Sequence, residues 1–389
     1  MNLRIKFFLF LAAICAGLIT VRAAEPTIVI PGEADTTKLI PMTMTGFSGE
    51  AALVLRFDLE IAGFDFDRPE KALFALSGSN AGQVEGHLVD HTKGRLLDRA
   101  YNGGSTRSQA HALANDVILA ITQKRGIAQT KIAFKVDAGA QGAGEIYVAD
   151  YDGHNAVAVT QDHVIVKSPA WVPGQRKLFY VSYKSGYPDI YSHDLTSGER
   201  RSFAHFPGSN MSPTISADGR RVAMILSKSG SPDLYVCDID GSNLKQLTSG
   251  RDDESSPCWS PDNRTICFVS RYGGRAALFT ISASGGEPRR LNTVSALNAT
   301  EPDWSPDGKT IVFTAQMGGF NICTVPAEGG EARVLVAGED PSWAPNSRTV
   351  IFTRRQGSRR GLSLLDVPTK RVKDVLQISG SCSQPDWAR

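Results

Sequence analysis

Signatures of catalysis and of metal binding are what this 389-residue sequence has least of. It holds no Gly-x-Ser-x-Gly elbow, which argues against a peptidase of the prolyl-oligopeptidase type, built around that strained turn. No Cys-x-x-Cys, His-Glu-x-x-His or phosphate-cradling glycine loop occurs. Histidine is sparse, with 7 residues. His111, His154, His163, His193 and His205 are scattered and form no recognisable ligand set. His87 and His91, close to Glu85 and Asp90, would suit a metal only on a helix. Their Gly-flanked, strand-like stretch reads instead as surface polar residues. No catalytic residue, metal ligand or cofactor is expected.

Charge of one sign is missing too: 42 basic residues face 40 acidic ones. A nucleic-acid binder needs a strong basic face, so that class is set aside. Long apolar runs are absent apart from the first. Arg4 and Lys6 precede the apolar run Phe7 to Ile19, and Val21-Arg22-Ala23 supplies processing residues, so residues 1–23 read as a secretory signal peptide. The run is short for a membrane span, and Ile14 before Cys15 disfavours lipid attachment. Without those 23 residues, 39 basic and 40 acidic side chains remain. Five cysteines also remain: Cys237, Cys258, Cys267, Cys323 and Cys382. An odd number leaves a thiol unpaired. Cys258 and Cys267 flank Asp262-Asn263 symmetrically and could face each other across adjacent strands, either as a disulfide or, more often for such residues, as small packing groups.

What the chain does have is a tandem repeat. Trp259-Ser260-Pro261-Asp262-Asn263, Trp304-Ser305-Pro306-Asp307-Gly308 and Trp343-Ala344-Pro345-Asn346-Ser347 are its clearest copies. Weaker ones start at Trp171 and Ile215, and Trp387 falls where a sixth begins. Lead positions 171, 215, 259, 304, 343 and 387 step by 44, 44, 45, 39 and 44. Each copy opens on a turn suited to Pro, Asp and Gly. A short β-rich run follows, such as Ile266-Cys267-Phe268, then a Gly- or Ser-rich turn and a second run, such as Leu278-Phe279. Four short strands per copy make one antiparallel sheet, and six such sheets arranged radially form a β-propeller that hides its edges by closing. Closure is expected between residues 130–136 and the strand around Asp386-Trp387.

Residues 24–128 do not repeat. A strand at Thr27 to Ile30 and an extended segment at Lys38 to Met44 come first. Apolar spacing predicts a helix over Ser48 to Ala62, stopped by Gly63. Leu73 to Ser77 and Gly86 to Val89 read as strands. A second helix is capped by Ser105 or Thr106 and runs to Lys124, closed by Arg125-Gly126. The fold class is therefore an α/β N-terminal domain (24–128) followed by an all-β six-bladed β-propeller (129–389), with close packing between them because Gln129-Thr130 leaves almost no linker.

Glu25-Pro26-Thr27-Ile28-Val29-Ile30, Leu39-Ile40-Pro41, Gly46-Phe47, Phe57-Asp58-Leu59, Gly63-Phe64, Arg99 and Thr130-Lys131-Ile132-Ala133-Phe134, with the propeller repeat, resemble the TolB family, periplasmic components of Tol–Pal systems. The likeness covers essentially the whole chain. Departures at Ile215, at Trp343-Ala344-Pro345-Asn346 and in the short fourth step touch blade details. The resemblance implies a periplasmic, non-catalytic protein that helps keep the outer membrane attached and constricted during division. It implies a Pal-like lipoprotein as the propeller's partner, an N-terminal strand (Glu25, Thr27, Ile28, Val29 and Ile30) that contacts TolA or packs against the domain, and other envelope proteins as further partners. It also implies that the loops leading into the innermost strands receive the lipoprotein: Ser209, Asn210, Asp252, Asp253, Glu254, Asn298, Thr300, Glu301, Glu339 and Asp340. Such loops make a polar, partly acidic rim suited to basic residues and peptide groups of a docked domain. The competing reading is an exported propeller hydrolase or lyase with a divalent cation in its central channel, which would not usually carry the α/β domain.

Overall fold

The computed structural model describes residues 37–138 and 142–389. The expected signal segment 1–23 and the expected strand Thr27–Ile30 lie outside them. The first layer is a five-stranded sheet under two helices, with elements in the order β1 (Ile40–Thr45), α1 (Gly49–Ile61), β2 (Phe64–Asp65), β3 (Phe74–Ser79), β4 (Val84–Asp90), β5 (Gly94–Tyr101) and α2 (Thr106–Thr122). The sheet order is β2-β1-β3-β4-β5, parallel at β1 and an antiparallel meander from β3 to β5. Both helices lay apolar faces on it: Ala51, Val54, Leu55 and Leu59 from α1, and Ala110, Leu113, Ala114 and Val117 from α2.

Two local readings are corrected. The second helix ends at Thr122, where Gln123 takes a left-handed conformation (φ 58°) and its N–H bonds the Leu119 carbonyl. Arg125-Gly126 lies beyond that cap, and the last turn carries no basic residue. Its start matches expectation, with the Ser105 hydroxyl accepting from the Ser108 N–H at 3.2 Å. Strand β5 was not anticipated. Gly-Arg-Leu-Leu-Asp-Arg-Ala-Tyr is a charged, exposed edge strand, and its alternation is hidden by polar residues on both faces.

Six four-stranded antiparallel sheets follow, and they are the six expected blades. Five are consecutive: blade 2 from Val166, blade 3 from Asn210, blade 4 from Glu254, blade 5 from Ala299 and blade 6 from Glu339. Blade 1 joins both ends of the propeller. Its innermost strand is Cys382–Trp387, paired with Lys131–Asp137 through Trp387 opposite Ile132 and Asp386 opposite Ala133. Each innermost strand touches the next around the whole ring. The repeat turns tie the innermost strand to the second. In blade 5 the Ser305 hydroxyl donates to Asp307 (2.6 Å) and accepts from the Thr310 N–H (3.0 Å). In blade 6, where Ala344 lacks that hydroxyl, Asn346 accepts from the N–H groups of Arg348 and Thr349 instead.

Cys258 and Cys267 stand directly opposite each other in blade 4, as free, buried thiols. Cys237, Cys323 and Cys382 are free and buried as well. Packing against apolar neighbours is what the three clusters around these five thiols show.

The α/β layer docks on blades 1 and 6 at the side where the repeat turns lie. Arg371 donates to the Phe64 carbonyl at 2.5 Å, and Lys373 pairs with Glu60. Between them lies a buried polar cluster. Asp58 accepts from the Tyr151 hydroxyl and faces His111 Nδ1 at 2.7 Å, while His111 Nε2 stands 3.5 Å from Asp152, itself paired with Arg107. Burial raises the Asp58 carboxyl above the usual range, opposed by His111, Tyr151 and Arg107. Among the described residues, Asp58, His111 and Asp152 are the one set of three metal-type ligands that converge. Nothing in the spacing of His111 announces this, because its partners lie 53 and 41 positions away. Arg107, the Tyr151 hydroxyl and the His111 ring face the two aspartates, so each buried carboxyl has a polar partner within the protein.

Candidate functional site

The innermost strands share a motif that the lead positions conceal. Two residues before each lead position stands a proline: Pro169, Pro213, Pro257, Pro302, Pro341 and Pro385. The residue before each proline has a positive φ of 47–54°: Ser168, Ser212, Ser256, Glu301, Asp340 and Gln384. Left-handed backbone is strained for side chains other than Gly or Asn. Here it coincides with a break of register against the second strand in every blade. A bulge re-aims a side chain, and these six all face the central channel, a cavity of about 340 Å³.

Four carboxylates line the channel. Glu301 and Asp340 come from the bulges, and Asp303 and Asp386 from one turn further in. Glu301 accepts from the Asp340 N–H (3.0 Å) and the Thr314 hydroxyl (2.7 Å), bridging blades 5 and 6. Asp340 accepts from the Thr353 hydroxyl (2.9 Å) and the Gln384 N–H (3.1 Å), bridging blade 6 to blade 1. Burial, then the neighbouring Glu301 charge, pushes the Asp340 carboxyl up to about 7. Burial likewise pushes Asp386 up to about 7, against the Trp171 N–H and Arg389, which favour its ionised form. At the opposite end, the tryptophans and turn prolines enclose a second cavity of about 300 Å³. Arg389 spans that end, bonding the carbonyls of Trp343 and Trp304 and pairing with Asp303.

The anticipated rim residues divide into three groups. Glu301 and Asp340 line the channel. Asp252, Asp253, Thr300, Glu339 and Asn298 lie at or just before the starts of their innermost strands, outside the channel lining, half-buried except for the exposed Asp253. Glu339 is faced by Arg360 at 3.2 Å. Asn210 is fully buried, and its side-chain amide donates to the Pro188 and Phe206 carbonyls and to Asp189, so it holds blades together. Glu254 is buried too, and Ser209 uses its N–H on the Ser227 hydroxyl. Asp303, Gln384 and Asp386 were missed. The Pro-x-Trp spacing pointed to them, because the proline and its two neighbours sit on the innermost strand.

The tryptophans pack, as their regular spacing suggests. Trp259 donates to the Thr214 carbonyl (3.2 Å) and Trp387 to the Thr130 hydroxyl (2.8 Å). No helix among the described residues is long and apolar enough to cross a membrane. The anticipated N-terminal contacts Glu25, Thr27, Ile28, Val29 and Ile30 lie outside the described residues.

Comparison with known proteins gives one consistent result. Residues 119–389 match the family described as the TolB beta propeller domain. The chain is 32% identical over 239 residues to the Tol-Pal system protein TolB of Dechloromonas aromatica, covering 53% of this chain and 54% of that protein. It is 33% identical over 206 residues to the protein of the same name from Polaromonas naphthalenivorans, covering 44% and 47%. The matched part thus spans about half the length of these curated relatives. The crystal structure of TolB from Acinetobacter baumannii superposes with a TM-score of 0.82 over 90% of this chain and 97% of that one. At 23% identity that likeness speaks for the fold.

Proposed function

Because this chain belongs to the TolB beta propeller family, we propose that it is a non-catalytic periplasmic component of a Tol–Pal system whose propeller mouth binds a Pal-like, peptidoglycan-associated lipoprotein. The family match over residues 119–389 carries this reading. In it, residues 1–23 are a cleaved signal peptide, and 24–128 and 129–389 are the two working parts. The segment Glu25–Ile30 is the contact for TolA, and the assembly helps keep the outer membrane attached and constricted at division.

Physical support comes from the mouth where the innermost strands begin. The α/β layer docks at the turn side of blades 1 and 6, away from this mouth. Glu301 and Asp340 line a channel of about 340 Å³, and Asp252, Asp253 and Thr300 lie at or just before the starts of its innermost strands. A folded domain bearing a basic or amide-rich loop fits such a rim, and a few central side chains would supply most of the affinity.

The test is a pull-down of the mature protein from envelope extract, followed by titration of the recovered lipoprotein's soluble domain. Recovery of a peptidoglycan-binding lipoprotein is expected, with affinity reduced about tenfold or more in Glu301→Ala, which loses a central rim group. Absence of any such lipoprotein, together with hydrolase activity in the purified protein, would reverse the reading.

A further inference from the structure

The seams between neighbouring blades bring equivalent positions face to face, and one seam places two acids there. The start of a blade's third strand faces the start of the next blade's innermost strand. Between blades 2 and 3 these positions are Asp189 and Asn210. Asp189 directs one carboxylate oxygen to Ser185 and His205, and the other receives the Asn210 side-chain amide at 3.3 Å.

Forty-four residues later the same positions are Asp233 and Glu254. Asp233 Oδ2 is well provided for, accepting from Ser229 (2.5 Å), Ser231 (3.3 Å) and Gln246 (3.0 Å). Its Oδ1 is buried with no partner, on a side chain that is 1% exposed. Where the other seam supplies an amide donor, this one supplies a second acid. The remaining seams pair Glu145 with Val166, Ala277 with Ala299, Asn321 with Gly338, and Gly361 with Cys382 at these positions, so no other described seam joins two acids there. Burial, then the Asp233 charge, drives the Glu254 carboxyl up to about 7, against a hydrogen bond from Ser270 that favours its ionised form, with Asp252 adding to the raising field. An unpartnered buried carboxylate oxygen is costly unless something positive or hydrogen-bearing meets it.

We propose that the seam between blades 3 and 4 is a divalent-cation site, held by Asp233 Oδ1 and the Glu254 carboxylate. The donors are all oxygen, and no Cys or His stands among them. That chemistry selects a hard ion, and a loose ligand set completed by water suits calcium better than magnesium. Glu254 is 9% exposed and Asp252 half-exposed, so the ion has an acidic approach from the rim. Once bound, it fastens the loop Gly250–Asp253 to blade 3, where the Ser231 hydroxyl already holds the Gly250 carbonyl at 2.9 Å. This inference stands apart from the partner proposed above.

The experiment uses the mature protein stripped with chelator and titrated with calcium chloride alone, read by thermal melting and calorimetry. Calcium should raise the melting temperature by a few degrees at a hundredfold excess over its Kd, and by more at pH 8 than at pH 6, where protons compete. Glu254→Asn copies the Asp189–Asn210 seam. It should melt higher than the metal-free parent and lose the calcium increment, and Asp233→Asn should lose it as well. An increment that persists undiminished in both variants would assign the ion to the channel carboxylates and overturn the proposal. So would the lack of any calcium effect on the parent protein, leaving a shared proton as the seam's occupant.

Discussion

At the scale of single residues, this protein keeps several acids buried or half-buried within the ring. Glu254, Asp340 and Asp386 all have folded-state pKa values raised to about 7. A raised carboxyl binds its proton more tightly in the folded chain than in the unfolded one. Its contribution is therefore complete below the unfolded value near pH 4 and is lost as pH rises through about 7. Part-buried pairs such as Asp162 with Arg200 work in the opposite direction and weaken only in acid. Melting temperature should thus peak near pH 5–6 and fall toward pH 8. Asp386→Asn keeps an acceptor for the Trp171 N–H and removes the ionisation, so it should stabilise the protein at pH 8, by roughly 2–4 kcal/mol, and have little effect at pH 5. Denaturant titration at the two pH values measures this. His111→Ala should do the reverse of stabilising. It leaves Asp58 with only the Tyr151 hydroxyl and Asp152 with Arg107, and a loss of about 3–5 kcal/mol is expected in the same titration.

At the scale of elements, the repeat turn is where sequence and structure agree most directly. Ser-Pro-Asp-Gly encodes its own hydrogen bonds, because the serine hydroxyl and the aspartate both reach the backbone within five residues. Ser305→Ala should cost about 1–2 kcal/mol, and a second change, Asp307→Asn, should recover part of that, since Asn346 fills this role in blade 6. Equilibrium unfolding of the two variants tests the pairing. Strands two and three of each blade were legible for the same local reason: their apolar runs are uninterrupted. Outside blade 1, whose closing strand around Asp386-Trp387 was expected, the innermost strand was not, because its Ser/Glu/Asp-Pro step resembles a loop and the bulge removes the alternation that marks a strand. That is why Glu301 and Asp340 were found from their loops while Asp303 and Asp386 were passed over. The end of α2 was misplaced for a related reason. Arg125-Gly126 looks like a stop, but Gln123 enters the left-handed region two residues earlier.

At the scale of the whole molecule, the ring and the α/β layer are joined through blade 1. Trp387 sits at that junction, 1% exposed, its indole N–H on Thr130 and its ring 6.1 Å from Tyr151, which in turn reaches Asp58. Trp387→Ala should cost about 3–5 kcal/mol and loosen the α/β layer as well as the ring, visible as faster amide exchange in α1. The six-fold count was readable because two independent markers keep the same period. The convergence of Asp58, His111 and Asp152 was not, since it depends on how the two parts meet. The pairing of Cys382–Trp387 with Lys131–Asp137 also has a consequence in time. A ribosome delivers residue 131 some 250 positions before residue 382, so the inward edge of blade 1 waits uncovered through most of synthesis. The growing polypeptide can fold blades 2 to 6 as they appear, but it remains an open crescent until its final stretch arrives, and whatever shields that edge meanwhile governs how much of it escapes aggregation.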